Sequence, residues 1–300
     1  MELSGKRILI IGLGKTGIAA VRFLARRGAE IVVTDEKPLS LLKEAFDELA
    51  DVLPHFKFRA GGLAIGSDID LVVPSPGVAP LHEILSEAVN RGIPVMSELE
   101  LACRFLRRPM IAITGTNGKT TTTTLIGEIL EGAGKKVFVG GNIGRPLIGY
   151  VDGKQEEEYV VIEVSSFQLQ WSEYFRPAVA VLLNTTCDHV NYHGSFAAYR
   201  QVKERIFANQ TREQRAIINA AEPSSRLLAP QLAALLNRKL NYLVAVNVEL
   251  LFRIRKSKAY AHACGPSSFG PPSRTLLRTR TLFIIPVDIL TIDILFYWEL

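Results

Sequence analysis

Thr114, Gly115, Thr116, Asn117, Gly118, Lys119 and Thr120 follow directly on the apolar run Met110, Ile111, Ala112, Ile113, and Leu125, Ile126, Ile129 and Leu130 then recur at helical spacing. Strand, glycine turn and helix in that order make a phosphate-binding loop. The glycines let backbone N–H groups turn inward on a polyphosphate, and the helix opened by Thr121 to Thr124 aims its positive end at the same anion. Lys119 neutralises charge, and the Thr120 hydroxyl can ligate Mg²⁺. Gly115, Thr116, Asn117, Gly118, Lys119, Thr120 and Thr121 are therefore the expected ATP-binding set. The order is Gly-x-x-Gly-Lys-Thr, with Ile113 where the commoner loop has its first glycine. A threonine-rich turn that binds nothing is the competing reading.

Further polar groups sit at strand ends. Tyr159 to Ile162 reads as a strand closing on Glu163, followed by Val164, Ser165, Ser166, Phe167 and Gln168. A carboxylate emerging beside an ATP loop suits Mg²⁺, which takes one or two carboxylates plus phosphate oxygens. Lys136 to Val139 reads as a strand running into Gly140, Gly141, Asn142, Ile143 and Gly144, where flexible glycines let Asn142 reach a ligand. Val179 to Leu183 leads into Asn184, Asp188, His189, Asn191, Tyr192 and His193, a polar cluster where the sheet opens. Lys203 lies on a helix expected over Phe196 to Phe207 and by itself reads as a solvated lysine.

These loops need strands and helices to hold them. The first ninety residues alternate: strands at Arg7 to Ile11, Glu30 to Thr34 and Leu71 to Val73, and helices at Thr16 to Arg27, near Leu39 to Asp51 and over Leu81 to Arg91. That alternation predicts a doubly wound α/β sheet. Gly12, Leu13, Gly14, Lys15, Thr16 and Gly17 satisfy Gly-x-Gly-x-x-Gly after the first strand, and Asp35 stands where a ribose-binding acid falls in dinucleotide folds. The motif alone suggests a dehydrogenase or a helix packed tightly on a strand. Paired with an ATP loop about a hundred residues later, it points instead to a diphosphate-bearing substrate brought to ATP. Ser75, Pro76 and Gly77 follow the strand at Leu71 to Val73 and read equally as a turn or a ligand loop.

At these residues the chain resembles the Mur ligases of peptidoglycan and cell-wall synthesis. The resemblance rests on Gly12 to Gly17, Ser75 to Gly77, Gly115 to Thr120, Gly141 to Gly144, Glu163 to Gln168, Asp188 with His189, and Lys203 to Phe207. It is greatest for the branch that adds D-glutamate, and it covers about the first 228 residues. It implies a Rossmann-like domain over 1–94 that binds UDP-N-acetylmuramoyl-L-alanine through Gly14, Lys15, Thr16, Asp35, Gly77, Asn142, Ser165 and His189. It further implies an ATPase-like central domain over 95–228, in which Thr120, Glu163, His189 and Lys203, the last once carbamylated, serve as metal ligands. Lys119, His189 and Lys203 are the implied catalytic residues. The implied reaction is ATP-dependent ligation through an acyl phosphate. A binding protein without ligase activity and another amide ligase, such as a folylpolyglutamate synthetase relative, remain as alternatives.

Asn191 stands where the family usually has an Asp, and the segments of the family's third domain are not found, so an incomplete central domain and a missing C-terminal domain are expected. Beyond Leu228 the composition turns arginine-rich and apolar with Pro266, Pro271, Pro272 and Pro286, and 229–300 reads as an aberrant tail.

Composition supports a globular chain of 300 residues and 48% hydrophobic content. Residues 230 to 300 hold nine Lys or Arg and four Asp or Glu, so 35 less nine leaves 26 basic residues and 30 less four leaves 26 acidic ones before them. The net charge of +5 is thus a property of the tail, and no nucleic-acid footprint is expected. Cys103, Cys187 and Cys264 lack disulfide or zinc spacing, and the N-terminus lacks a signal-peptide pattern, which together predict a cytoplasmic protein. The apolar stretch from Leu282 to Phe296 contains Pro286, Asp288 and Asp293, so no integral membrane segment is expected.

Overall fold

The computed structural model describes residues 1–60, 65–66, 68–219, 221–236 and 241–243. The chain opens with β1 (Arg7–Ile11), α1 (Lys15–Ala25), β2 (Glu30–Asp35), α2 (Lys43–Glu48), β3 (Phe56–Ala60), β4 (Leu71–Pro74) and α3 (Glu83–Asn90). The four strands form a parallel sheet in the order β3-β2-β1-β4. Strand alternation explains its two covered faces. Ile8 and Ile10 pack with Val21, Phe23 and Leu24 of α1, while Leu9 and Ile11 pack with Ile84, Leu85 and Ala88 of α3.

The second unit continues with α4 (Glu98–Cys103), β5 (Met110–Thr114), α5 (Lys119–Gly132), β6 (Val137–Gly141), α6 (Leu147–Val151), β7 (Tyr159–Glu163) and α7 (Ser166–Leu169). It then adds β8 (Val179–Leu182), α8 (Val190–His193), α9 (Phe196–Glu204), β9 (Arg215–Asn219), α10 (Pro223–Leu236) and β10 (Asn241–Leu243). Its sheet is parallel, in the order β10-β9-β8-β5-β7-β6. Ile111, Ile113, Val161 and Val181 face Leu130 of α5. Ala112, Val160, Ile162 and Leu182 join a cluster with Leu147, Leu169, Ile206 and Phe207 on the other side. The expected mixed α/β class with parallel sheets is observed.

That second cluster is continuous with the α1 side of the first sheet. Phe23 of α1 meets Phe105 edge-on at 5.0 Å between centroids, and Arg27 lies over the Phe23 ring at 3.5 Å. Arg26 and Arg27 both pair with the largely buried carboxylate of Asp152, at 2.5 and 2.8 Å. The connection between the units pairs Val95 with Val72 of β4 and then enters α4, whose N-cap Ser97 accepts from the Glu100 amide.

Several boundaries differ from the sequence reading. The helix expected near Leu39 to Asp51 is a 3₁₀ turn at Leu39–Leu41 followed by the shorter α2, because buried Leu42 leaves the helical region at φ −103°, ψ 5°. α3 begins after His82, whose Nδ1 accepts from the Ile84 amide. The helix expected over Phe196 to Phe207 tightens to a 3₁₀ turn at Arg205–Phe207. α10 runs on through residue 228 to Leu236, and β10 pairs with β9, so the second sheet draws on residues from the stretch read as tail. Cys264, the prolines at 266, 271, 272 and 286 and the apolar stretch over 282–296 lie outside the described residues. Among the described residues no helix is long and apolar enough to cross a membrane.

Candidate active site

The phosphate loop hangs between β5 and α5, and its shape is dictated by close packing. A Cβ at Gly115 would meet Leu183 Cβ at 3.1 Å and the Asn184 backbone at 3.4 Å. Gly118, at φ 83°, occupies the left-handed region as the N-cap of α5. Ile113 sits wholly buried within β5, paired with Glu163 and Val181, so the chain enters its turn two residues later than in the commoner loop.

Asn184 fixes the loop. Its Oδ1 accepts from the amides of Thr116 (3.1 Å) and Asn117 (2.9 Å), and its Nδ2 donates to the Asn117 carbonyl at 3.0 Å. Thr116 Oγ1 lies 3.1 Å from the Tyr199 hydroxyl and accepts from the Thr186 amide at 3.0 Å. Asn184 was expected only as a member of the polar cluster beyond this strand, with no role in the loop, and Tyr199 was not among the expected site residues. A polar side chain immediately beyond a buried strand was the available signal for Asn184; Tyr199 gave none, since an aromatic on a helix reads as core.

Lys119 Nζ donates to the Thr116 carbonyl at 2.9 Å. Thr120 Oγ1 donates to Glu163 Oε2 at 2.6 Å, while Asn142 Nδ2 donates to Glu163 Oε1 at 2.8 Å. Gly141, at φ 96°, lets the chain turn so that the Asn142 amide reaches the Glu163 carbonyl at 2.9 Å. The three expected residues Thr120, Asn142 and Glu163 thus converge on one buried carboxylate. A hydroxyl beside a carboxylate is an all-oxygen donor pair that fits Mg²⁺, an ion that takes its remaining ligands from phosphate and water. Among the described residues no group of three or more His, Cys, Asp or Glu could hold a metal.

Lys203 is buried, at 2% exposure, rather than solvated as its helix position alone suggested. Its Nζ donates to the Gly115 carbonyl at 2.9 Å and lies 4.7 Å from the Tyr199 ring centroid. Burial pushes its pKa down to about 7; the Lys119 charge adds to the fall, while Asp188 and Glu163 oppose it. A substantial fraction of neutral amine at neutral pH follows.

His189 caps α8 in the left-handed region (φ 49°, ψ 28°), a conformation that is sparsely populated by non-glycine residues and recurs at functional sites. Its Nε2 lies 3.4 Å from Asp188 Oδ2, and its ring stands 4.9 Å from Phe167 and 6.0 Å from Tyr199. His193, which hydrogen-bonds Ser166 Oγ at 3.0 Å, is held below the usual histidine pKa by burial, with His189 and Lys203 repelling its proton. Ser165 forms a capping box with Gln168: its Oγ accepts from the Gln168 amide at 3.3 Å, and the Gln168 side chain accepts from the Ser165 amide at 3.0 Å. The Ser-x-x-Gln spacing carried that signal in the sequence.

In the first unit the three glycines differ. A Cβ on Gly17 would fall 2.0 Å from the Gly12 carbonyl oxygen, and Gly12, at φ 93°, abuts Ser75, whose Oγ donates to the Gly12 carbonyl at 3.1 Å. Gly14 meets nothing within 4 Å and leaves the N-terminus of α1 open, with Lys15 and Thr16 in its first turn. Asp35 accepts from the Leu13 amide at 2.7 Å and the Lys37 amide at 2.8 Å, so its carboxylate braces the glycine turn. Gly77 is likewise open, in the turn that Val78 closes back on Ser75.

The Mur ligase middle domain family matches residues 113–260, and the family described as "Mur ligase MurD-like, N-terminal domain" matches residues 6–97. The chain belongs to the Mur ligase family. Among Mur ligase relatives, the UDP-N-acetylmuramoylalanine–D-glutamate ligase of Syntrophus aciditrophicus is 60% identical over 235 residues, 78% of this chain and 52% of the relative. The ligase of the same name from Geobacter metallireducens is 48% identical over 234 residues, again 78% and 52% of the two chains. The chain therefore spans about half the length of the curated relatives it matches. The Neisseria meningitides UDP-N-acetylmuramate:L-alanyl-gamma-D-glutamyl-meso-diaminopimelate ligase superposes with a TM-score of 0.51 at 19% identity, covering 80% of this chain and 78% of that one; this likeness is one of fold.

Proposed function

We propose that the chain carries the UDP-substrate and ATP sites of a Mur ligase that joins D-glutamate to UDP-N-acetylmuramoyl-L-alanine in the cytoplasm. The convergence of Thr120, Asn142 and Glu163 beside a phosphate loop that Asn184 holds rigid carries this reading. The names of the two ligases above supply the substrate pair.

On this reading residues 1–94 hold the UDP moiety, its pyrophosphate lying on the open N-terminus of α1 at Gly14, Lys15 and Thr16. Residues 95–228 hold ATP, with backbone amides of Gly115 to Thr121 around the phosphates and Lys119 swinging from the Thr116 carbonyl to the transferred group. Thr120 and Glu163 would hold Mg²⁺, which when bound would supply charge screening between the substrate carboxylate and the phosphate. Asn142 keeps the Glu163 carboxylate oriented. Phosphorylation of the alanyl carboxylate gives an acyl phosphate, which the amine of D-glutamate attacks with release of phosphate. Gly77 and His189 would lie towards the acyl end, and Lys203, partly neutral at pH 7 because burial depresses its pKa, is suited to take up CO₂ with release of a proton, giving an anionic carbamate that would serve as an oxygen ligand to the ion. Apart from carbamylation of Lys203, each of these contributions is positioning or electrostatic rather than covalent.

Titrating the purified chain with UDP-N-acetylmuramoyl-L-alanine, and measuring phosphate release from ATP with and without D-glutamate, tests the proposal. Saturable binding of the UDP compound together with substrate-dependent phosphate release is the expected result. Failure to bind the UDP compound would overturn it, and binding without phosphate release would favour a binding protein over a ligase.

A further inference from the structure

Tyr192 stands in α8, three residues beyond the left-handed turn at His189, and its hydroxyl reaches across to the other unit. It donates to the Val78 carbonyl at 2.7 Å, with the Pro76 carbonyl at 3.3 Å as a weaker second acceptor. Both carbonyls belong to the turn after β4 that contains Gly77. On its own side the Tyr192 ring packs 4.3 Å from Phe167 and 4.8 Å from His193, and Phe167 in turn lies 4.9 Å from His189. On the far side Val78 packs against the apolar cluster under α3, and Ser75, at the start of the same turn, bonds the Gly12 carbonyl. An unbroken line of contacts thus runs from the first glycine turn through Ser75 and Val78 to Tyr192 and the His189 turn.

We propose that Tyr192 is a positioning residue: its hydroxyl latches the Ser75–Val78 turn of the first unit to the His189 turn of the second and so fixes where the aminoacyl-sugar end of the UDP substrate meets the phosphate loop. This inference rests on the substrate reading given above. The UDP end contacts only the first unit and does not depend on the latch. The sugar and alanyl end must lie across both units and does. Burial holds the phenol up to about 12, so the group stays a neutral donor throughout the working pH range.

Tyr192→Phe deletes the hydroxyl and keeps the ring that packs on Phe167. Calorimetric titration of the full chain and of Tyr192→Phe, each with UDP and with UDP-N-acetylmuramoyl-L-alanine, separates the two ends of the substrate. The latch predicts UDP affinity unchanged within about twofold and affinity for the whole substrate lowered about fivefold, the factor that corresponds to one hydrogen bond of ordinary net worth. Backbone amides of Ser75, Gly77, Val78 and Ala79 are expected to exchange several-fold faster in the variant, with α1 and β5 unaltered. Equal affinities and equal exchange would overturn the latch, as would a parallel loss for UDP and the whole substrate. A full chain that binds neither compound would instead overturn the functional reading, a result distinct from one in which it binds both and Tyr192→Phe matches it.

Discussion

Replacing Asn184 with Ala tests whether the phosphate loop is held in its binding shape before the nucleotide arrives. The side chain makes three hydrogen bonds to the loop, but the Thr116 amide is shared with the Asn184 backbone carbonyl, also at 3.1 Å. Two bonds therefore belong to the side chain alone, Asn117 N–H to Oδ1 at 2.9 Å and Nδ2–H to the Asn117 carbonyl at 3.0 Å. At about 1 kcal/mol net for each, with some compensation by water because Asn117 is exposed, the loop loses ~1 to ~2 kcal/mol of preorganisation. Affinity for a non-hydrolysable Mg-ATP analogue should then fall about five- to thirtyfold. Calorimetry at fixed ionic strength measures it, with circular dichroism to verify that β5 and α5 remain folded. Asn184→Asp should bind more weakly still, since it loses the Nδ2 donor and sets a negative charge beside the phosphates. An Asn184→Ala variant that binds within twofold of the unsubstituted chain would refute the clamp.

Glu98 is buried beside α6, where its Oε1 accepts from the Ile148 amide at 2.6 Å, and burial raises its pKa to about 7, offset in part by that amide and by Gln168. Its Oε2 makes no hydrogen bond of good geometry among the described residues. An acid whose folded pKa exceeds its unfolded value stabilises most below the unfolded value, so this contribution is lost as pH rises from about 4.5 to about 7. Glu98→Gln should flatten that slope in denaturant melts and gain up to ~3 kcal/mol at pH 8, and an unchanged slope would contradict it. Lys203 should form a carbamate signal with ¹³C-bicarbonate whose amplitude rises through about pH 7 rather than pH 10, and Lys203→Arg should abolish it; a signal that rises only near pH 10 contradicts the depressed pKa. Gly17→Ala drives a Cβ to within 2.0 Å of the rigid Gly12 carbonyl and should lower the melting temperature sharply, whereas Gly14→Ala enters open space and should leave it unchanged. Equal melting of the two variants would show that the first glycine turn is not packed as described.

Much of the fold was legible because parallel strands buried on both faces read as short apolar runs, as at Arg7–Ile11 and Met110–Thr114. What escaped was short or locally ambiguous. α4, α6 and α7 have four to six residues, too few for periodicity to speak, and β3 (Phe56–Ala60) alternates its aromatics with Lys57 and Arg59 on a sheet edge. α10 was obscured by Pro230 within it and by the change of composition around it. In the site, Glu163 was readable because chemistry at the end of a parallel strand has a sequence position, and Thr120 because it follows the Gly-Lys pair that opens α5. Asn184 and Tyr192 stood in a polar run beyond a strand, but their partners and that of Tyr199 lie roughly 70 to 115 positions away, so the local pattern did not give their roles. Lys203 carries the same lesson in reverse: a charged residue on a helix looks solvated until the packing around it is known.

Binding of Mg-ATP to the full chain and to Lys119→Ala, with folding of both verified by circular dichroism, bears most directly on the claim that Gly115 to Thr120 is a working phosphate site. The account predicts saturable binding by the full chain and an affinity loss of at least about tenfold in the variant, because a charge-assisted contact to the phosphates is removed. A well-folded Lys119→Ala chain that binds the nucleotide as tightly as its parent would contradict it.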